Sequence, residues 1–329
     1  MSHDLPCTFP SATLDAGRRT GLILCGMGGP DGPETVEPFL RNLFSDPMIF
    51  PVPRPLNGLL GRLIAKLRTP GVKERYLQIS PDGRTPQLDT TLAQAHDLAR
   101  RLTAAGRPAV GGMAMRYWRP WPEDTIRGML DEGCEQFLLV PTYPQYSCST
   151  NGATLGFVVD ALERVAPGTP AHAVVDWPLQ EGFVRALAAP VAATANDWAA
   201  AGTDPAECAI LYVAHSLPMK FIDGGDPYQV RTDLTVTEVH GLASKAIAEA
   251  GHAAWLGQLD GGPVPRLAFQ SRVGPIKWLG PEITLEVERL AGAGIRRLHV
   301  QPVSFTCEHI ETLMELDVEL REDAEKAGI

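Results

Sequence analysis

The chemistry in this sequence is concentrated in Ser304 to Arg321, SFTCEHIETLMELDVELR, where imidazole and carboxylate groups crowd the start of a helix-like run. On a helix, Glu308, Glu311, Glu315 and Glu319 fall at steps of three, four and four and line one face. Solvated like charges at that spacing cost a few tenths of a kcal/mol per pair, roughly, and buried ones cost far more. Two readings stand: a solvated face whose first glutamates are favoured by the helix macrodipole, or a metal or proton pathway. An apolar strand, Leu298 to Val303, runs into the ladder through Phe305, and the loop after a strand's carboxyl end is where open α/β sheets bind ligands. His309 precedes Glu311 by two positions, which on a regular helix points them about 160° apart. Both serve one site only if the helix begins irregularly, as a loop or a π-bulge.

Other strand-end loops add Met27, Arg116, Tyr117, Tyr143, His215, Arg272, Trp278 and Phe305. These side chains suit a large, flat, apolar ligand with peripheral carboxylates, because aromatic faces stack on it and Arg pairs bidentately with carboxylate. Taken singly, Met27, Tyr143 and Phe305 read equally well as core, and Tyr117 and Trp278 as half-buried aromatics. Of the eight histidines, only His215 and His309 stand apart. His215 ends the apolar strand Ala209 to Ala214 and precedes Ser-Leu-Pro, which forces it out of the sheet. Ser216 lacks a G-x-S-x-G elbow, so hydrolysis is disfavoured.

The elements that would position these residues alternate between strand and helix. Thr20 to Cys25 enters the loop Gly26-Met27-Gly28-Gly29-Pro30, which has neither nucleotide-loop spacing. Helical periodicity follows over Val36 to Phe44, Leu56 to Leu67 and Leu88 to Leu102, then strands and helices alternate to the end. That order predicts parallel pairing with right-handed crossovers. Aligning Met115-Arg116-Tyr117-Trp118 onward with Gln270-Ser271-Arg272 onward sets Gly133 against Gly294 and Pro141 against Pro302, each 161 residues apart. This weak duplication predicts two similar α/β lobes facing one another across a shared cleft. The boundaries are a tail over 1–18, a first lobe over 19–190 and a second over 191–329, with the join near Trp177 to Ala199.

A net charge of −10 and a pI near 5.3 exclude nucleic acid as a main partner. The six cysteines form no C-x-x-C pair, so spacing supports neither a disulfide framework nor a zinc site, and the cytoplasm is the expected compartment. No apolar run approaches transmembrane length. Phe39 to Leu67 interleaves apolar residues with Arg41, Arg54, Arg62, Lys66 and Arg68, which fits a packed helical hairpin or peripheral contact with the membrane's inner face.

Several long motifs in order, LCGMGGP, AKLRTPGVKERY, MRYW, YPQYSCST, AHSLPMKFIDGGDPY, QSRVGPIKWLGP and SFTCEHIETLMELDVE, resemble the ferrochelatase family from about Thr20 to Ile329. The resemblance implies two Rossmann-type lobes, with the cleft between them, and an enzyme that inserts ferrous iron into protoporphyrin IX with release of two protons. His215 matches the family's metal-site histidine, and His309 with Glu311 its H-x-E. Porphyrin-pocket positions fall on Met27, Arg68, Tyr76, Arg116, Tyr117, Tyr143, Trp278 and Phe305, and Glu315 and Glu319 become a proton relay. The implied reaction bends the macrocycle, and His215 or Glu311 takes the pyrrole protons. Coproporphyrin III or cobalt as substrate and a non-catalytic porphyrin carrier are the alternatives; a carrier gains nothing from repelling carboxylates. Iron is substrate here and no prosthetic group is expected. Cys148 matches one [2Fe–2S] ligand of the family's cluster-bearing branch, but the other three lie in a C-terminal segment this chain is expected to lack, and a cluster needs four. Oligomeric state is left open.

Overall fold

A computed structural model of the chain describes residues 9–49, 56–255 and 265–329. The chain divides into two compact units. Unit 1 holds residues up to Asp176 together with Thr306–Ile310; unit 2 holds Trp177–Phe305 and Glu311–Ile329.

Unit 1 is built on four parallel strands in the order β2-β1-β3-β4: β1 (Thr20–Gly26), β2 (Ala109–Met115), β3 (Gln136–Pro141) and β4 (Ala171–Ala173). Every residue of β1 is buried, as expected of a strand paired on both edges and covered on both faces. Alternation sends Ile23 and Cys25 to one face, against Ile126 and Met129 of α4 (Pro122–Asp131) and Leu155 and Val158 of α5 (Ala153–Val165). Leu24, Met113 and Met115 face the other way, onto Ala95 of α3 (Gln87–Ala104). A third cluster joins Val36, Phe39 and Leu40 of α1 (Val36–Phe44) to Ala65 and Tyr76 of α2 (Leu56–Ile79). The periodicity of Leu56 to Leu67 marks only the first half of α2, which continues through Pro70.

The polar N-terminal stretch is in part an element of the sheet. Ser11 forms an antiparallel bridge with His172, the Ala12 N–H donates to Ala171 O at 3.0 Å, and the Ala173 N–H donates to Pro10 O at 2.8 Å. This strap covers β4, whose open edge would otherwise expose unpaired backbone groups.

Unit 2 repeats the plan with three parallel strands in the order β6-β5-β7: β5 (Cys208–His215), β6 (Arg266–Gln270) and β7 (Arg297–Pro302). Ile210, Tyr212 and Ala214 pack with α6 (Glu181–Ala200) and α8 (Tyr228–Glu249); Leu211 and Val213 pack with α9 (Ile283–Gly292) and Leu320. A short helix, α7 (Met219–Asp223), precedes α8. A boundary between 190 and 191 would cut α6, and the division falls instead at Asp176/Trp177, before the helix starts.

The duplication seen in the sequence extends through these elements. The start of α4 at 122, its C-terminal Gly133, and β3 at 136–141 correspond to 283, Gly294 and 297–302, each 161 later. Both glycines have positive φ, 82° and 95°, the left-handed conformation that ends a helix and suits glycine.

Helix α3 lies so close to β2 that a Cβ on Gly111 would sit 2.2 Å from Ala95 O, a rigid helix backbone atom. We expect Gly111→Val to destabilise unit 1 by about 3 kcal/mol, read as a lowered urea midpoint. An unchanged midpoint would contradict this packing.

Candidate functional site

Unit 2 carries its candidate site residues at and beyond the ends of its three strands. His215 is the last residue of β5 and the first to emerge from it, half-buried where the preceding seven are buried. Its Nδ1 lies 2.7 Å from Ser216 O. A carbonyl only accepts, so in the neutral ring Nδ1 carries the hydrogen and Nε2 keeps its lone pair for a metal or a proton. The His215 carbonyl accepts from the Tyr228 hydroxyl at 2.9 Å, and that hydroxyl also pairs with Ser304 Oγ at 3.0 Å. Tyr228 thus ties the end of β5 to the second residue after β7. Burial pushes its phenol up to about 12, which keeps the donor protonated.

Across the β5–β6 pair, His215 is the register partner of Gln270. The Gln270 Nε2 donates to the Glu311 carbonyl at 2.8 Å and to Glu315 Oε2 at 2.9 Å. Ser271 Oγ donates to the same Glu315 oxygen. Ser216 is absorbed into the scaffold, its Oγ donating to Leu279 O at 2.7 Å. Trp278 is half-buried, and its Nε1 donates to Val273 O at 3.0 Å, closing the loop after β6. Arg272 pairs with Glu282 at 2.9 Å, and Phe305 is half-buried.

The acidic run is a π-helix over Glu311–Leu320, followed by α10 (Arg321–Lys326), and Thr306–His309 lie outside any helix. The helix therefore begins irregularly, in the wider-turned π form common at functional sites. Four residues make a little less than a turn of such a helix, so Glu311, Glu315 and Glu319 still form a stripe. Along it, exposure rises from half-buried Glu311 and Glu315 to exposed Glu319. Glu308, the first rung of the ladder as read from the sequence, is exposed and outside the helix. His309 is half-buried and belongs with unit 1, whereas Glu311 belongs with unit 2.

Residues 306–310 are fastened to unit 1 at several points. Gln94 Nε2 donates to Thr306 O at 2.7 Å, Thr306 Oγ1 donates to Thr142 O at 3.2 Å, and Ile310 packs against the α1–α2 cluster. Beside them the loops after β1, β2 and β3 are laced together. The Arg116 N–H donates to Gly26 O and the Tyr117 N–H to Met27 O, both at 2.9 Å, while the Met27 N–H donates to the Tyr143 hydroxyl at 2.7 Å.

Arg116 is not presented as an open carboxylate clamp. Its guanidinium pairs with Asp46 at 2.6 Å with the two side chains 13% and 9% exposed, and it also donates to Ala153 O. The Tyr117 hydroxyl donates to the same Asp46 oxygen at 2.6 Å. Burial, outweighing the opposing Arg116 charge, raises the Tyr117 phenol well above its ordinary range. Tyr117 and Tyr76 are both buried in the α1–α2 cluster. Arg68 is exposed, its guanidinium 5.4 Å from the centre of the Phe44 ring, and Met27 is half-buried.

Sequence reasoning missed Gln270, Ser271, Tyr228 and Asp46 as members of these networks. The first three sit in motifs already singled out, QSR and GDPY. Nothing marks Asp46, which meets Arg116 across 70 residues of chain. Among the described residues, no three of His, Cys, Asp and Glu gather as a metal-holding group.

The family model for ferrochelatase matches residues 19–329. A ferrochelatase of Gloeobacter violaceus is 36% identical over 320 residues, covering 94% of this chain and 89% of the relative. Those of Hyphomonas neptunium and Aquifex aeolicus are each 36% identical, over 95% and 94% of this chain and 81% and 91% of their own lengths. A match of this extent, on a chain whose strand-end histidine stands beside an acidic π-helix, leaves one assignment: the protein belongs to the ferrochelatase family.

Proposed function

We propose that this member of the family inserts ferrous iron into protoporphyrin IX, with His215 and Glu311 as the metal-handling pair. Family membership makes the chain an enzyme that inserts a metal into a porphyrin in haem biosynthesis; the particular metal, ring and residues are our reading. The observation that carries it is His215, whose Nδ1–H is committed to Ser216 O and whose Nε2 is left with its lone pair at the strand end. Iron approaches as a substrate, handled by the His215 imidazole and the Glu311 carboxylate, ligands that suit a first-row divalent ion. As each iron–nitrogen bond to a pyrrole nitrogen forms, its N–H proton passes to His215 Nε2 or the Glu311 carboxylate. Glu315 and Glu319 then carry charge outward along a stripe of rising exposure. His309, which precedes the irregular start of the helix, is proposed as a further catalytic group.

Macrocycle contacts in unit 1 are assigned to Met27, Arg68 and Tyr143, with Tyr76, Arg116 and Tyr117 bracing their loops from buried positions. Trp278 and Phe305 are likewise proposed as macrocycle contacts. The commitment of Arg116 to Asp46 lowers the number of cations available for ligand carboxylates, which favours a dicarboxylate ring over tetracarboxylate coproporphyrin. We assign the chain no iron–sulfur cluster.

Helix α2 supports a peripheral membrane role at the inner face for a cytoplasmic enzyme. Leu56, Leu59, Leu63 and Leu67 are 55%, 68%, 53% and 72% exposed and recur at steps of three, four and four, a single apolar stripe flanked by exposed Arg62 and Lys66. Part of the amphipathic segment read from the sequence, residues 50–55, lies outside the described residues. No helix among the described residues is long and apolar enough to cross a membrane.

In an anaerobic assay with ferrous, cobalt and zinc ions against protoporphyrin and coproporphyrin, turnover is expected to be highest for ferrous iron with protoporphyrin. His215→Ala should lower kcat by at least about 100-fold while porphyrin fluorescence titration still shows binding. Wild-type turnover in that variant overturns the assignment, and absence of product with every pair favours a carrier. The triple variant Leu59→Glu, Leu63→Glu, Leu67→Glu should lose at least about tenfold in partitioning to anionic vesicles; undiminished co-sedimentation refutes the membrane role. An anaerobic visible spectrum of the ring-free protein should lack sulfide-to-iron bands.

A further inference from the structure

We propose that Gln270 is a positioning residue for metal insertion: its buried amide pins the first turn of the π-helix and, with Ser271, fixes the Glu315 carboxylate. The proposal rests on the metal-site reading of Glu311. Gln270 is 2% exposed, and its Oε1 has no hydrogen-bond partner. An apolar side chain of similar volume would fill that space without leaving a buried acceptor unpaired. The amide therefore has to be explained by what its nitrogen does.

That nitrogen sits among acceptors. It meets Glu311 O at 2.8 Å and Glu315 Oε2 at 2.9 Å, with Ser271 Oγ at 3.4 Å. Turning the amide over would place Oε1 against a carbonyl and a carboxylate, so the neighbours dictate its orientation. A side-chain donor at a helix carbonyl also competes with the helix's own ladder, one of the recognised causes of departure from regular α geometry. Glu311 is the first residue of the π-helix. Gln270 thus acts on the backbone of one glutamate and on the side chain of the next, and it starts from the strand position paired with His215.

Ser271 strengthens the arrangement. It has φ of 67°, the one left-handed residue other than glycine among those described, and such a conformation costs energy unless the surroundings hold it. Its hydroxyl donates to the Glu315 oxygen that Gln270 also holds. Two neutral donors converging on one carboxylate oxygen give that side chain a fixed direction, and charge-assisted bonds of this kind are the stronger class.

The test compares Gln270→Glu, which keeps shape and volume but replaces the donor with an acceptor, with Gln270→Met, which keeps only the volume. Both should lose at least about tenfold in kcat/KM for ferrous iron, with porphyrin affinity by fluorescence titration changed by less than about twofold. Amide hydrogen exchange over residues 311–320 should quicken in both. A packing role alone predicts that Gln270→Glu behaves as wild type; wild-type kcat/KM and exchange in that variant overturn the proposal even if Gln270→Met fails to fold. Glu311→Gln, assayed alongside, separates the two ideas. If it is inactive while Gln270→Glu is normal, the pin alone has failed; if it retains wild-type activity, the metal-site reading has failed, and exchange over 311–320 still judges the pin.

Discussion

Strand β5 is hydrogen-bonded on both edges and covered on both faces, so its residues from Cys208 to Ala214 have no route to a ligand. A parallel strand in that position can present chemistry only where it stops. His215 is that stopping point, and the arrangement around it follows from keeping it in place. Tyr228 holds its carbonyl, Ser216 orients its ring, and Gln270 stands beside it in register. Each of these groups is buried or half-buried and hydrogen-bonded, so the imidazole is presented by a rigid platform instead of a loose loop.

Unit 1 solves the corresponding problem with a buried ion pair. Arg116 and Asp46 are both largely withdrawn from water, which is costly for separated charges and tolerable only when further hydrogen bonds satisfy the pair. Tyr117, Ala153 and the fork of the guanidinium supply them. The return is geometric: the end of β2 is joined to the chain just after α1 and to the first residue of α5, so these loops share one set of positions.

Much of the frame was legible because it depends on local pattern. Apolar runs ending in Gly, His or Pro marked the strands, and the constant offset of 161 between Gly133 and Gly294 exposed the repeat that the two sheets bear out. His215 stood out because it ends an apolar strand and precedes Ser-Leu-Pro. The rest was hidden by distance or by ambiguity. Asp46 looked like any loop aspartate, since only folding brings it to Arg116. Gln270 read as a strand terminus because an amide's partners cannot be inferred from its neighbours in sequence. The strap at Pro10 to Ala12 carries no apolar periodicity and is held mainly by backbone bonds. The join near Trp177 to Ala199 was legible as a turn feeding an Ala-rich helix, but sequence alone does not show that all of α6 packs against β5.

The loop after the second strand of each sheet shows where the two halves have parted. In unit 1 the Met115 N–H reaches Pro120 O at 2.9 Å, five residues on; in unit 2 the Phe269 N–H reaches Pro281 O at 2.8 Å, twelve residues on. The same clasp closes both loops, and the second contains seven more residues, the difference between twelve and five. Ser271, Arg272 and Trp278 all lie on that longer excursion. Because the clasp returns the chain to the same register before α9 begins, a loop of this kind can lengthen or change composition without disturbing helix or sheet. Ancestry can therefore be shared by the two frames while substrate handling diverges, with new chemistry entering as an insertion between two fixed hydrogen-bonded points.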